Sequence, residues 1–294
     1  MPPRRLRLDA ELVRRGLARS REQAAEMIRA GRVTVQGATA TKPATQVTTD
    51  VAVVVADDPD RPDYVSRGGH KLAGALDVFE PLGLVVAGRR ALDAGASTGG
   101  FTDVLLRRGA EQVVAVDVGY GLLAWSLRSD DRVLVRDRQN VRDLSLEVTD
   151  GPVEIVVADL SFISLGLVLE AVVRVTEPDG DLALMVKPQF EVGRERVGKG
   201  GVVRDPALRA EAVADVAAEA ARHGWPTRGV ARSPLPGPSG NVEYFLWLAA
   251  RSERPVLDVE QVRAQVLEQE ERAASTGNGG TDGPSSVPGE RLDT

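Results

Sequence analysis

The chain has 294 residues, 43% hydrophobic and 27% charged, a composition typical of a folded globular protein long enough for a small domain and a larger one. It contains no cysteine, which excludes disulfides, thiolate metal sites and a cysteine nucleophile, and the presence of only two histidines argues against a zinc centre or a Ser/His/Asp triad. The sequence has no apolar stretch of about 18 residues and no apolar core behind its first residues, so we expect neither a membrane span nor a signal peptide, and a cytoplasmic protein.

The net charge of −6 is distributed unevenly. Residues 1–49 contain ten Arg or Lys and four Asp or Glu, whereas residues 251–294 contain five and nine. A basic segment on an acidic protein is typical of a surface that binds a polyanion. Phosphate groups are neutralised by a local positive patch, and the net charge of the whole protein need not be positive. A solvated helix surface would give the same count, so charge alone leaves both interpretations open.

The first sixty residues have the pattern of a small α+β unit. A helical face over residues 8–15 ends at Gly16, and Ser20 begins a capping box for a second helix that ends at Gly31. Short β-type runs follow at Val33–Val35 and Val51–Val55.

Two runs within this unit, RLDxELVxRGLAxSR at residues 7–21 and IxxGxVxV at residues 28–35, resemble the S4-like RNA-binding domain. The resemblance implies that the arginines clustered around one turn contact RNA. The candidate RNA contacts are Arg4, Arg7, Arg14, Arg15, Arg19, Arg21, Arg29 and Arg67, with Arg32 beside them.

From residue 91 onward, buried apolar runs alternate with helix-period segments, which predicts a mostly parallel sheet covered on both faces. The predicted strands are Ala91–Asp93, Val113–Asp117, Val133–Val135, Ile155–Asp159, Leu182–Lys187, Gly229–Arg232 and Tyr244–Leu248. The predicted helices are Phe101–Arg108, Leu165–Val175, Pro206–His223 with Asp205 as its N-cap, and Val259–Ala274. The last two strands are joined without a helix, which suits a sheet with one reversed strand.

A small-residue loop, Asp93-Ala94-Gly95-Ala96-Ser97-Thr98-Gly99-Gly100-Phe101, follows a predicted strand and opens a predicted helix. It lacks the lysine of a triphosphate loop and the GxGxxG spacing of a dinucleotide loop. Asp93 suits the positive sulfonium and amino groups of S-adenosylmethionine, and Asp117 is placed to accept hydrogen bonds from its ribose hydroxyls. A tight turn without a ligand is the alternative. The candidate cofactor contacts are Asp93, Gly95, Ser97, Thr98, Gly99, Gly100, Phe101, Asp117 and Asp159.

Four polar residues, Lys71, Asp159, Lys187 and Glu243, lie at the ends of predicted elements. Lysine is scarce, with four in the chain, and two of them belong to this set. A ribose hydroxyl attacks a sulfonium methyl group only if it is aligned and loses its proton, and a lysine that is partly buried or lies beside a second ammonium can take that proton. The two carboxylates would orient the amines. For any single member, a surface ion pair is the alternative.

Six segments carry a second resemblance: VSRGxHKL at 65–72, LDAGASTGGFT at 92–102, DVGYG at 117–121, DLSFISL at 159–165, VKPQFEVG at 186–193 and PGPSGNVE at 236–243. The Lys-Asp-Lys-Glu set resembles that of the FtsJ-like 2′-O-methyltransferases, which implies that these four residues are catalytic. Residues 4–250 as a whole resemble the hemolysin A (TlyA) family of rRNA methyltransferases. That resemblance implies 2′-O-methylation of cytidine in small- or large-subunit ribosomal RNA, with S-adenosylmethionine as cofactor, ribosomal subunits as partners and no metal.

The expected architecture is therefore an α/β, Rossmann-like, seven-stranded S-adenosylmethionine-dependent methyltransferase domain preceded by a small α+β S4-like RNA-binding domain. The predicted boundaries are 1–60 for the S4-like domain, 61–68 for a linker, 69–252 for the methyltransferase domain and 253–294 for a helical and disordered acidic tail.

Further segments are interpreted as substrate elements. The stretch Glu191–Arg204 (the basic loop) carries Arg194, Arg196, Lys199 and Arg204 among glycines, and either closes over RNA or is a plain flexible connection. Prolines stiffen Pro234–Gly240 and would hold Glu243 in place. Three aromatic residues near strand ends either stack on a flipped base or belong to the core: Phe162, Phe190 and Tyr244.

Two other classes of protein compete with the enzyme. A membrane-lytic, hemolysin-like protein would need an amphipathic membrane helix or an export signal, and the sequence offers neither. A non-catalytic RNA-binding factor for ribosome assembly would not need both lysines and both carboxylates. We therefore expect a methyltransferase.

Overall fold

The computed structural model describes residues 5–18, 20–56, 63–237 and 239–277. They divide into two compact units, with the boundary between Asp63 and Tyr64.

The first unit combines two helices with short strands. Its core consists of apolar side chains from both helices and from two strands, including Leu12, Ile28 and Val47. The Ser20 side chain accepts a hydrogen bond from the Gln23 backbone N–H, which confirms the predicted cap. The helices are α1 (Leu8–Arg14) and α2 (Arg21–Arg29), and the strands are β1 (Arg5–Arg7), β2 (Val33–Val35), β3 (Ala38–Thr39), β4 (Gln46–Thr48) and β5 (Val53–Val55), paired as β1-β4 and β3-β2-β5.

The second unit is built on a seven-stranded sheet. Its strands are β6 (Arg90–Ala94), β7 (Gln112–Asp117), β8 (Val133–Asp137), β9 (Val153–Ala158), β10 (Thr176–Val186), β11 (Thr227–Arg232) and β12 (Tyr244–Leu248), in the order β11-β12-β10-β9-β6-β7-β8. Strand β12 runs antiparallel to both of its neighbours, and the remaining pairs are parallel. The predicted sheet with one reversed strand is confirmed.

Helices cover both faces of this sheet. One face packs on α3 (Arg67–Phe79) and α4 (Gly100–Arg107), and the other on α7 (Leu169–Val175), α9 (Pro206–Arg222) and α10 (Val259–Gly277). Asp205 caps α9 by accepting a hydrogen bond from Ala207 N–H, as predicted. The shorter elements are α5 (Trp125–Arg128), α6 (Leu146–Thr149), α8 (Pro188–Glu191) and the 3-10 turns Glu80–Leu82, Val141–Asp143, Leu165–Leu167 and Arg194–Arg196.

Three features differ from the sequence-based expectation. Helix α3 was not predicted, and it begins inside the stretch assigned to a linker, so Lys71 lies within a helix and not at the end of an element. The single helix expected at Leu165–Val175 is a 3-10 turn followed by α7. Helix α10 is part of the second unit, because Val262 and Val266 are fully buried in its core.

Candidate active site

The polar residues of interest meet along one edge of the sheet. The chain passes from β6 to β7 and β8 on one side, and then places β9 and β10 on the other side of β6. In open α/β sheets, ligands bind at the carboxyl ends of the strands where the order reverses in this way. That point lies between the loop after β6 and the loop after β9.

The loop after β6 is shaped by left-handed backbone. Gly95 (φ 89°) and Gly99 (φ 97°) adopt conformations that favour glycine, and Ser97 (φ 49°) is drawn into the same region. A Cβ atom on Gly95 would lie 3.0 Å from the Asp159 carbonyl oxygen. A Cβ atom on Gly100 would collide with the Ser66 side chain, so both glycines are needed for close backbone approach.

Asp93 is a fully buried carboxyl at the end of β6. Its Oδ2 accepts a hydrogen bond of 2.7 Å from the Thr102 hydroxyl, whereas its Oδ1 has no hydrogen-bond partner. Burial raises the pKa of Asp93 to about 7; hydrogen bonds from Thr102 act in the opposite direction, and the charges of Asp159 and Asp117 add to the increase. A buried acceptor in this state fits a ligand that brings a positive charge or an N–H group.

Asp117, at the end of β7, holds the loop backbone. Its Oδ2 accepts a hydrogen bond of 2.8 Å from Ser97 N–H, and its Oδ1 accepts one of 2.7 Å from Gly119 N–H. A carboxylate has about four acceptor positions, so Asp117 retains capacity for ribose hydroxyls.

Lys187 and Asp159 form an ion pair at the ends of β10 and β9. The Lys187 Nζ atom lies 2.6 Å from Asp159 Oδ1 and donates a hydrogen bond of 2.9 Å to Ser161 Oγ. The contact with Asp159 is a close charge pair without hydrogen-bond geometry, because Oδ1 has no hydrogen-bond partner. Lys187 is 8% exposed, so its amine is largely shielded from solvent.

Lys71 and Glu243 form a second, more deeply buried pair. Lys71 Nζ donates a hydrogen bond of 2.5 Å to Glu243 Oε2, and the two residues are 7% and 1% exposed. Strands β10 and β12 are antiparallel, and their last pair is Val186 opposite Tyr244. Lys187, which follows Val186, and Glu243, which precedes Tyr244, therefore lie at the same edge of the sheet. The four residues predicted from the sequence therefore form two ion pairs: three of them flank the neighbouring strands β9, β10 and β12, and Lys71 is supplied by helix α3.

Buried polar atoms without hydrogen-bond partners concentrate at this edge. Within the described ranges there are six, and four of them belong to Asp93, Asp159, Gln189 and Glu243. The Lys187 ammonium compensates Asp159 Oδ1, whereas the atoms of Asp93, Gln189 and Glu243 cost free energy unless a water or ligand satisfies them, as is expected at a binding site. Sequence reasoning overlooked Ser161, Thr102 and Gln189, although each lies within a quoted motif.

Other predicted site residues have different surroundings. Phe101 is buried and packs on Phe245 with ring centroids 5.9 Å apart. The idea that Tyr244 stacks on a base is wrong, because its side chain is fully buried in the core. Phe162, in contrast, is 91% exposed with a left-handed backbone (φ 65°), and its ring contacts that of Phe190 at 5.4 Å.

The arginines of the first unit are organised by two buried carboxylates. Asp9 contacts Arg7 at 2.8 Å and Arg21 at 3.2 Å. Hydrogen bonding from Arg7 outweighs burial and lowers the pKa of Asp9 to about 2.

The second carboxylate, Glu11, contacts Arg14 and Arg15 at 2.6 Å each. Its pKa is also lowered to about 2, because the hydrogen bonds from Arg14 and Arg15 outweigh burial. Arg29 and Arg67 are exposed, and Arg32 is half-buried. Arg4 and Arg19 lie outside the described residues.

Within the described ranges, no group of three or more His, Cys, Asp or Glu side chains is arranged to hold a metal ion. No helix in that part of the chain has the length and apolar character needed to cross a membrane.

Comparison with known proteins gives consistent matches. Residues 64–250 match the FtsJ-like methyltransferase family, and residues 6–53 match the S4 domain. The 16S/23S rRNA (cytidine-2′-O)-methyltransferase TlyA of Mycobacterium tuberculosis is 61% identical over 85% of this chain and 92% of its own length. Hemolysin A of Brachyspira hyodysenteriae is 36% identical over 82% and 98%. Among solved structures, a candidate hemolysin from Streptococcus thermophilus has a TM-score of 0.65 at 36% identity, covering 94% of this chain and 100% of that one.

Proposed function

Because the chain belongs to the FtsJ-like methyltransferase family and carries an S4 domain, we propose that it transfers the methyl group of S-adenosylmethionine to the 2′-hydroxyl of cytidine in ribosomal RNA. The observation that carries the proposal is the presence of two ion pairs, Lys187 with Asp159 and Lys71 with Glu243, beside the loop after β6. We assign RNA binding to residues 1–60 and catalysis to residues 69–252, and place the protein in the cytoplasm with its substrate.

The residues at the loop after β6 fit S-adenosylmethionine. The unpartnered Oδ1 of Asp93 suits its positive charge, and Asp117 can accept hydrogen bonds from its ribose. Gly95, Gly99 and Gly100 supply backbone without side chains, Ser97 and Thr98 between them are small, and Phe101 serves the core. When bound, the cofactor supplies an electrophilic methyl group on a sulfonium.

The chain's own residues would align the 2′-hydroxyl and remove its proton. Lys187 and Asp159 stand at the mouth of the site, where the hydroxyl can hydrogen-bond to either. As the methyl group leaves the sulfur of the cofactor and bonds to the 2′-oxygen, the hydroxyl proton would pass to this pair. Lys71 and Glu243 form the second pair, in which we assign to the buried carboxylate of Glu243 the orientation of the Lys71 amine.

The RNA-binding assignment rests on the arginine side chains of the first unit that pair with Asp9 and Glu11. Asp9 and Glu11 hold four guanidinium groups at its surface, and arginine is well suited to phosphate because its donors form a planar fork. The exposed ring of Phe162, next to Ser161 and Lys187, is placed to stack on a base drawn out of the RNA.

The decisive test is methyl transfer from labelled S-adenosylmethionine to purified small and large ribosomal subunits. Wild type should label RNA with methyl groups that make the adjacent phosphodiester resistant to alkali, as a 2′-O-methyl group does. Lys187→Ala should lose transfer by roughly 10²-fold or more, whereas Lys42→Ala, an exposed lysine of the first unit, should not.

Absence of label in the wild type on both subunits would refute the proposed function. Equal labelling by wild type and Lys187→Ala would leave the enzyme intact but refute the role of Lys187.

A further inference from the structure

A buried charge network joins helix α10 to two separate parts of the active-site region. At its centre is Glu270, which forms a bidentate ion pair with Arg209 of α9. Arg209 Nε donates to Glu270 Oε1 at 2.8 Å, and Arg209 Nη2 donates to Glu270 Oε2 at 2.6 Å. The Tyr244 hydroxyl donates a hydrogen bond to the same Oε1 atom. The side chains of Arg209 and Glu270 are 9% and 11% exposed, so this fork is shielded from solvent.

The Arg209 branch reaches the end of the basic loop. Its Nη1 donates hydrogen bonds of 2.9 Å to the carbonyl oxygens of both Val203 and Arg204. Asn241, 3% exposed, holds the same segment from the other side: it accepts from Val203 N–H at 3.0 Å and donates to Gly201 C=O at 2.8 Å. The final residues of the basic loop are thus fixed by side chains, whereas Lys199 is exposed near its tip.

The Tyr244 branch reaches the catalytic pair. Tyr244 is the first residue of β12 and directly follows Glu243, which is bonded to Lys71. Gln269 of α10 binds the backbone of the adjacent edge strand, β11. It accepts a hydrogen bond from Arg232 N–H at 2.6 Å and donates one to Val230 C=O at 3.2 Å. Helix α10 therefore holds the β11–β12 pair at the end that carries Glu243.

We propose that Glu270 is a positioning residue for methyl transfer, which places Glu243 through Tyr244 and the basic loop through Arg209. The inference rests on the proposed function for the roles of Glu243 and the basic loop, but Glu270 itself lies beyond residues 64–250, which match the methyltransferase family. A carboxylate is required at position 270 because the Arg209 fork needs two acceptor oxygens and Tyr244 needs a third acceptor position.

The two branches can be separated by substitution in the full-length protein. Tyr244→Phe removes only the hydroxyl, so the loop contacts of Arg209 remain. Glu270→Gln retains an acceptor for Tyr244 but places an amide NH2 against Arg209, which loosens the loop branch. Glu268→Gln is the matched control, since Glu268 lies on the same helix in an exposed pair with Arg272.

The first measurement needs neither substrate nor cofactor. Trypsin cleaves after Lys and Arg, so the rate of cleavage after Lys199 and Arg204 reports how firmly the basic loop is held. Glu270→Gln should raise this rate by about tenfold, because the local opening equilibrium shifts. Tyr244→Phe and Glu268→Gln should leave it within about twofold of wild type.

The second measurement is steady-state methyl transfer to ribosomal subunits. Glu270→Gln should raise the KM for RNA by roughly tenfold with little change in kcat, whereas Tyr244→Phe should lower kcat by about tenfold with little change in KM. Glu268→Gln should match wild type in both.

Parallel behaviour of Glu270→Gln and Glu268→Gln in both assays would overturn the proposal. So would cleavage spread over the whole chain with kcat falling in proportion to the folded fraction at an unchanged KM, because that pattern indicates a purely structural role. An inactive wild type would refute the proposed function and with it the placement for catalysis, while the trypsin result would still decide whether Glu270 anchors the loop.

Discussion

Replacing Asp93 by Asn tests whether a buried carboxylate is kept ready for a cationic ligand. The substitution removes the charge and preserves the size of the side chain, and its amide oxygen can still accept the hydrogen bond from Thr102. We expect the variant to be more stable than wild type without ligand at pH 8, and to bind S-adenosylmethionine more weakly.

The magnitude follows from the pKa of Asp93, which burial raises from 3.8 to about 7. This difference corresponds to roughly 4 kcal/mol against ionisation, at ~1.36 kcal/mol per pKa unit, as an upper limit. Because the folded-state pKa lies above the unfolded one, this carboxyl contributes stability that is fully present below pH 3.8 and is lost as the pH rises to about 7. Asp93→Asn removes that loss.

The same titration governs binding of the cofactor. If only ionised Asp93 accepts the cation, affinity at pH 6 is about tenfold below its plateau, because roughly one tenth of the carboxyls are ionised there. Calorimetric titration from pH 6 to 8.5, in buffers of different ionisation enthalpy, measures affinity and proton release together. S-adenosylhomocysteine, which lacks the sulfonium charge, serves as the control ligand and should show a weaker dependence on pH.

The reasoning fails if wild type binds S-adenosylmethionine equally well across this pH range without releasing a proton. It also fails if Asp93→Asn binds as tightly as wild type, since the buried charge would then contribute nothing to recognition. Thermal unfolding without ligand provides the independent check that Asp93→Asn is folded.

Three further predictions concern separate parts of the chain. Glu11→Gln should lower the free energy of unfolding of the first unit by about 2 kcal/mol and weaken RNA binding; urea denaturation and filter binding measure the two effects. Because the pKa of Glu11 is lowered to about 2, the stability that Glu11 contributes in the wild type is present above pH 4.5 and is lost as the pH falls toward 2. A wild-type unfolding profile unchanged between pH 5 and 2 would contradict this. Phe162→Ala should raise the KM for RNA by roughly tenfold through lost stacking, with Phe162→Trp retaining most of the affinity and cofactor binding unaffected in both. Gly99→Ala should lower the melting temperature and the affinity for S-adenosylmethionine, because the new Cβ collides with Leu127 and the backbone lies at φ 97°; Gly121→Ala, also at positive φ but with open space around it, separates backbone strain from collision.

Much of the fold could be predicted because its signals are local. The apolar runs of β7 and β12 and the caps Ser20 and Asp205 depend on residues within a few positions of one another. Helix α3 escaped prediction although Leu72, Leu76 and Phe79 are spaced for one helical face, because its glycine-rich start suggests a loop. The paired network of Arg209 and Glu270 could not be found from sequence, since its members are 61 residues apart.

The amino-acid sequence by itself singled out the residues that we propose for catalysis: the two scarce lysines, Asp159 and Glu243 were identifiable by type, rarity and position. It could not assign the partners within that set. Sequence reasoning expected the two carboxylates to orient the amines but did not say which carboxylate pairs with which lysine; the structure pairs Lys187 with Asp159 and Lys71 with Glu243. The tertiary structure decides these pairings. The strand order places the ends of β9, β10 and β12 side by side, and the packing of helix α3 brings Lys71 to Glu243, 172 residues away in the chain.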